Sequence, residues 1–161
     1  MSERESPECL FEERILVKVS GDLVESDSFY GWLHSVNKPG DYFLIIAGGG
    51  TAITKRLERA GIPFEFGASG REIVDLEGKK LAHEVLRSQK TIVESQIKRM
   101  EINADVIIPV TVCAGEIIHI NGDEVAKTLY PYFGLTYVLT VRGKEKSFLG
   151  YEKLEVVPLV I

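Results

Sequence analysis

Three consecutive glycines, Gly48, Gly49 and Gly50, stand between an apolar run, Tyr42-Phe43-Leu44-Ile45-Ile46-Ala47, and a helical period that begins at Thr51. Glycine puts no side chain between a ligand and the backbone. A strand, a glycine turn and a helix N-terminus together aim free N–H groups and the positive end of the helix at one point. The chemistry this suits is the capture of an anion, either phosphate or carboxylate. A tight strand-to-helix turn would use the same residues, but three glycines in a row favour a ligand site. The pattern is neither Gly-x-Gly-x-x-Gly nor Gly-x-x-x-x-Gly-Lys-Ser/Thr, so it supports neither a dinucleotide fingerprint nor a P-loop.

Three further groups could join that site. Lys18 lies in an apolar strand two residues before Ser20-Gly21, at the edge where open α/β sheets bind ligands. There it could neutralise phosphoryl charge; a solvent-facing lysine on an alternating strand is an equal reading. Arg71 follows the loop Gly67-Ala68-Ser69-Gly70, and a flexible loop carrying one guanidinium can clamp a carboxylate; a solvated loop arginine is the alternative. Asn121-Gly122-Asp123 precedes an apolar helix. It can act as a simple cap, or as an aspartate that orients a lysine beside an asparagine that contacts the ligand. His34, His83 and His119 are scattered, and Cys9 and Cys113 share no ligand spacing, so no metal site is expected. No Gly-x-Ser-x-Gly or Cys/His pair points to covalent catalysis.

The elements that must position these groups follow from periodicity. Strands are expected over 14–20, 42–47, 105–111, 116–120 and 135–141, a short one within 62–66, and a last one from 148, ending in the apolar run 154–161. Helices are expected over 26–36, 51–60 and 124–130, with Thr51 or Gly50 near the cap of the second and Asn121 or Asp123 capping the last. Apolar residues recur at helical spacing from 75 to 100, as one long helix or two. Residues 142–146 read as a charged turn, the tip of a hairpin. Strands alternating with helices predict a mostly parallel sheet with helices on both faces. Residues 1–13 read as a loose polar arm and 14–161 as one domain.

The chain of 161 residues can bury a sizeable core, and its 45% apolar and 27% charged composition is that of a globular protein. A net charge of −5 argues against a broad nucleic-acid surface. No stretch approaches the ~20 apolar residues of a membrane span, and no signal-peptide pattern opens the chain. Two cysteines that share no metal-like spacing read as free thiols of a reducing compartment rather than as a disulfide, so a cytoplasmic location is the expectation.

These segments, in this order, resemble the amino acid kinase family, which includes the acetylglutamate, glutamate, aspartate, uridylate and carbamate kinases. Ile15-Leu16-Val17-Lys18-Val19-Ser20-Gly21 is similar to the family's opening strand with its phosphate-binding lysine. Phe43 to Gly50 is similar to its glycine-rich acceptor loop. Gly70-Arg71 with Asp75 is similar to the Gly-x-Arg-x-Thr-Asp stretch, whose arginine holds a substrate carboxylate. Ile108-Pro109-Val110 followed by His119-Ile120-Asn121-Gly122-Asp123 is similar to the Ile-Pro-Val … Asn-x-Asn-Ala-Asp block, with His119 at the first asparagine. The resemblance spans roughly residues 14–141 and implies a three-layer α/β/α sandwich. It implies Lys18 and Asp123 as catalytic groups, and Ser20, Gly21, Gly48, Gly49, Gly50, Arg71 and Asn121 as anion-binding residues.

The departures lie in the nucleotide half. Where the family reads Leu-Leu-Thr-Asp-Val-x-Gly-Val, this chain reads Val138-Leu139-Thr140-Val141-Arg142-Gly143, without the aspartate. The family's later Gly-Gly-Met-x-x-Lys segment, with a second phosphate lysine, has no counterpart. The expectation is a truncated relative that binds a small anionic metabolite or serves as a non-catalytic subunit. The alternative is a small kinase acting on a carboxylate or phosphate acceptor, and only that alternative requires ATP and Mg2+. The apolar stripe of residues 81–100, together with the resemblance, suggests a homo-oligomer.

Overall fold

The first strand is apolar on both faces, which is the mark of a strand sandwiched between helix layers. Ile15, Val17 and Val19 point one way, and Leu16 and Lys18 the other. A computed structural model describes residues 10–68 and 70–161. In chain order the elements are β1 Arg14–Val19, α1 Asp27–Val36, β2 Tyr42–Ala47, α2 Gly50–Arg59, β3 Glu65–Gly67, β4 Gly70–Glu72 and α3 Leu76–Arg99. They continue as β5 Ala104–Ile107, β6 Val110–Cys113, β7 Glu116–His119, α4 Gly122–Leu129, β8 Leu135–Val141 and β9 Leu154–Leu159.

Five strands form one sheet in the order β5-β2-β1-β8-β9, every pair parallel. The expected α/β architecture is therefore present, as three layers. The odd-numbered face of β1 packs with Phe29 and Leu33 of α1 and with Val93 and Ile97 of α3. Leu16 on the other face packs with Ile46 and with Ala126 of α4. Helix α2 packs on α3 through Ile53, Leu57, Ala82 and Leu86. The chain winds outward from β1 through β2 to β5, then returns to the other side of β1 for β8 and β9. Such a reversal opens a crevice at the carboxyl ends of the strands.

Several expectations change in detail. The run 105–111 is not one strand. Pro109 supplies no N–H for a ladder, the chain leaves the sheet after Ile107, and β6 pairs antiparallel with β7 in a separate hairpin. The period over 75–100 is a single helix, capped by Asp75 accepting from Gly78 N at 3.0 Å. The strand expected within 62–66 is β3, displaced toward Gly67. It pairs with β4, so Arg71 sits on a hairpin strand and not in a loose loop. Residues 142–146 are not a hairpin tip, because β9 runs parallel to β8 and the chain must cross back between them.

Of the expected arm, residues 1–9, with Cys9, lie outside the described residues. Phe11 is not loose: it stacks on Tyr42 with ring centroids 4.8 Å apart. Cys113 is free and exposed. Ala82, Leu86, Val93 and Ile97 of the α3 stripe are buried within the subunit, and Leu81, Val85, Ile92 and Met100 are partly buried against the same cores. Among the described residues no helix is long and apolar enough to cross a membrane.

Candidate functional site

Because side chains alternate along a strand, Lys18 must leave β1 on the face that α4 covers. The N-terminus of α4 is set there by Asn121, whose Oδ1 accepts from Asp123 N at 2.8 Å. Gly122 lets the lysine stem pass, since a Cβ there would lie 3.3 Å from Lys18 Cε. Lys18 Nζ then reaches Asp123 Oδ1 at 2.9 Å, with side chains only 11% and 9% exposed. The second oxygen of the same carboxylate accepts from Lys146 Nζ. Burial pushes the Asp123 carboxyl up, but the charges and hydrogen bonds of Lys18 and Lys146 outweigh it and hold it below the ordinary carboxylate value.

In front of this group lies a cavity of about 320 Å³ at the carboxyl edge of the sheet. Lys18, Ser20, Gly21, Gly48, Gly49, Gly50, Arg71 and Asn121 all line it. Asp123 stands behind Lys18 and orients it. The structure thus brings together every site residue expected from the sequence, although they come from four separate segments.

The glycines have a packing role besides lining the cavity. Gly48 N donates to Val19 O at 3.1 Å. At the start of α2 the Thr51 N–H and hydroxyl both donate to Asp22 Oδ1, at 2.8 and 2.6 Å. Two donors expected to face a ligand are therefore engaged internally, and the carboxylate at that helix end belongs to the chain itself. Burial pushes Asp22 up, and the bonds from Thr51 and the nearby Lys144 bring it below its ordinary value. The glycines are required by packing. A Cβ on Gly21 would fall 2.3 Å from Gly49 C, and one on Gly49 would fall 2.1 Å from Ile53 Cδ1. Gly50 has φ +51°, a left-handed conformation that favours glycine.

Arg71 is likewise fixed. Its Nη2 donates to Gly50 O at 3.1 Å and to Thr54 Oγ1 at 2.7 Å, and its guanidinium lies against the rings of Phe64 and Phe66. It contributes a placed positive charge and braces the glycine turn. Burial lowers its pKa, with Asp22 opposing the shift.

The sequence reading puts Lys146 in a charged turn that could bind phosphates or simply be solvated, and it misses Asp22 and the placement of His119. Lys146 lines the cavity because the connection out of β8 starts at the same sheet edge as the site. His119 also lines it. Its Nε2 lies 3.0 Å from the Lys79 carbonyl, which can only accept, so Nε2 carries the proton. Burial pushes its pKa below the ordinary histidine value, which leaves the ring neutral at neutral pH. Among the described residues no three His, Cys, Asp or Glu side chains gather to hold a metal.

The charges that meet at the cavity are Lys18, Lys146 and Arg71 against Asp123, with Asp22 matched by Lys144 at 3.6 Å. Such an excess of cations is chemically able to hold an anion and to stabilise charge that develops on it. No protein-family model matches the chain, and no curated protein matches it.

Proposed function

We propose that this chain is an amino acid kinase-like protein whose cavity binds a small anionic metabolite and that does not transfer phosphate by itself. One observation carries the reading: Lys18 and Lys146 share the single carboxylate of Asp123 at the mouth of a cavity on the carboxyl edge of a parallel sheet. One negative charge between two ammonium groups leaves a cationic excess that an incoming anion offsets, with Lys18 nearly buried and Lys146 open to solvent. The order of Lys18, the triple glycine and Asn121-Gly122-Asp123, now around one cavity, supports the family resemblance. A non-catalytic subunit beside another chain is the same reading at the level of assembly.

The test is calorimetric titration of the purified protein with inorganic phosphate at two salt concentrations. The expected result is saturable binding, weakened by salt and weakened at least tenfold, or about 1.4 kcal/mol, by Lys18→Ala. A folded, unmodified protein that takes up no phosphate at either salt concentration would overturn the reading.

Lys146 favours a second reading, phosphoryl transfer. It supplies a second ammonium group where the sequence offered one. ATP would be the donor, and magnesium would arrive on its phosphates, as it commonly does. The test of that reading is turnover.

A further inference from the structure

His119 ends β7, the strand of the β6–β7 hairpin that packs on α3. Its ring is fixed from that side, because Nε2 lies 3.0 Å from the Lys79 carbonyl and carries the proton. The other nitrogen, Nδ1, then keeps its lone pair and can only accept. Among the described residues Nδ1 has no hydrogen-bond partner, and it is not one of the buried polar atoms left without one. The ring stays neutral: burial lowers its pKa, and the charges of Lys79 and Arg71 push the same way, against the bond to the Lys79 carbonyl.

The other polar side chains of the anion cavity offer the opposite chemistry. Lys18, Lys146 and Arg71 can only donate. The Asn121 side-chain oxygen is taken by Asp123 N, and both oxygens of Asp123 face lysines. The Ser20 hydroxyl can turn to give or to take. His119 Nδ1 is therefore a fixed acceptor set among donors.

We infer that His119 selects the ligand: the site takes a small anion that also carries a hydroxyl group, whose proton is donated to His119 Nδ1. This inference rests on the anion-binding reading above and adds the class of ligand to it. Lys18 and Lys146 take the anionic end. A molecule that fills the cavity without the donor leaves Nδ1 stripped of water and unpaired. An ammonium donor would meet the like charges of Arg71 and Lys79, which act on the same ring, so the donor is a neutral one. A cavity of about 320 Å³ has room for roughly ten water-sized groups, which puts the hydroxyl within a few carbons of the anion.

The experiment compares matched ligands on the full, unmodified protein. Calorimetric affinities would be measured for inorganic phosphate, for 2-hydroxyethyl, 3-hydroxypropyl and 4-hydroxybutyl phosphate, and for the same three esters with fluorine in place of the hydroxyl. Fluorine is close to hydroxyl in size but donates nothing. At the spacer length that reaches His119 the hydroxyl ester should bind about two- to tenfold more tightly than its fluoro partner, the range that one net hydrogen bond supplies. Long-range proton–nitrogen spectra give a second reading in the same protein, where the only other histidines are His34 and His83. His119 should show Nε2 protonated and Nδ1 bare, and the Nδ1 signal should move with the hydroxyl ester and not with its fluoro partner. Phosphate binding with less than a twofold separation of the partners at every length would overturn this inference and leave the anion site standing, as would an Nδ1 signal that both partners move alike. No binding of any member would overturn both.

Discussion

At the scale of the residue, Asp123 decides how the site behaves. It is buried, and its two oxygens face two different lysines, one of them nearly as buried as itself. Removing the carboxylate takes from the nearly buried Lys18 its ion-pair partner. Asp123→Ala should therefore cost about 3 kcal/mol in chemical denaturation, the lower end of what breaking a buried pair costs. Lys18→Ala should cost less, because Lys146 remains on the carboxylate. The pH dependence follows from the direction of the shift. The folded pKa of Asp123 lies below the unfolded value of about 3.9. Between those two values the unfolded chain binds more protons, so stability rises with pH there. The contribution of Asp123 should be complete above about pH 4 and fade as pH falls through the folded value. Denaturation of wild type and Asp123→Asn over pH 2–6 should show the wild-type advantage disappearing at the acid end; an advantage unchanged at pH 2 would refute the charge pairing.

At the scale of the element, the two turns after β1 and β2 form one unit. Gly21 lies so close to the backbone of Gly49 and Gly50 that a methyl group can be admitted only by moving a loop. Gly21→Ala should destabilise by about 1–3 kcal/mol and weaken phosphate binding along with it. Gly31 is the contrast: it lies within α1, with nothing within 4 Å of its missing Cβ. Gly31→Ala should stabilise by about 0.5–1 kcal/mol, or roughly 1–4 °C in Tm for a chain of this size. Thermal melts of both variants test the packing account, and it fails if Gly21→Ala melts with the wild type.

This unit also shows what was legible. The strands β1, β2 and β8 could be read from apolar runs, because a strand buried on both faces has little freedom in composition. Glycine and asparagine turns marked the ends that carry the site. Asp22 on Thr51 could not be read, since it joins residues far apart in sequence, and nothing local distinguishes that aspartate from a solvated one. Pro109 did not by itself mark the break, because β5 is an edge strand, where proline is tolerated, and β9 at the other edge carries Pro158. Lys146 depended on β9 being parallel to β8, whereas Arg142-Gly143-Lys144 reads locally as a hairpin turn.

At the scale of the whole molecule, the question is whether the proposed anion site belongs to a working phosphotransferase. Transfer needs the terminal phosphates of the nucleotide held in line with the acceptor, with metal and cations offsetting their charge. Lys146 supplies one preorganised charge, a contribution whose loss commonly costs about 3 kcal/mol, or a hundredfold in rate. The same segment nevertheless bridges two sides of the site, with Lys144 on Asp22 and Lys146 on Asp123. Entry of a triphosphate beside Lys18 would have to break both pairs. The end of β8, where the resemblance calls for an aspartate, carries Thr140-Val141-Arg142. The chain alone should therefore bind ATP–magnesium no more tightly than about 1 mM and show no phosphoryl transfer to carboxylate or phosphate acceptors. Titration with ATP–magnesium and a transfer assay over both acceptor classes check this. Micromolar binding, with turnover that disappears in both Lys18→Ala and Lys146→Ala while each variant melts like wild type, would reverse the conclusion and make the paired lysines catalytic.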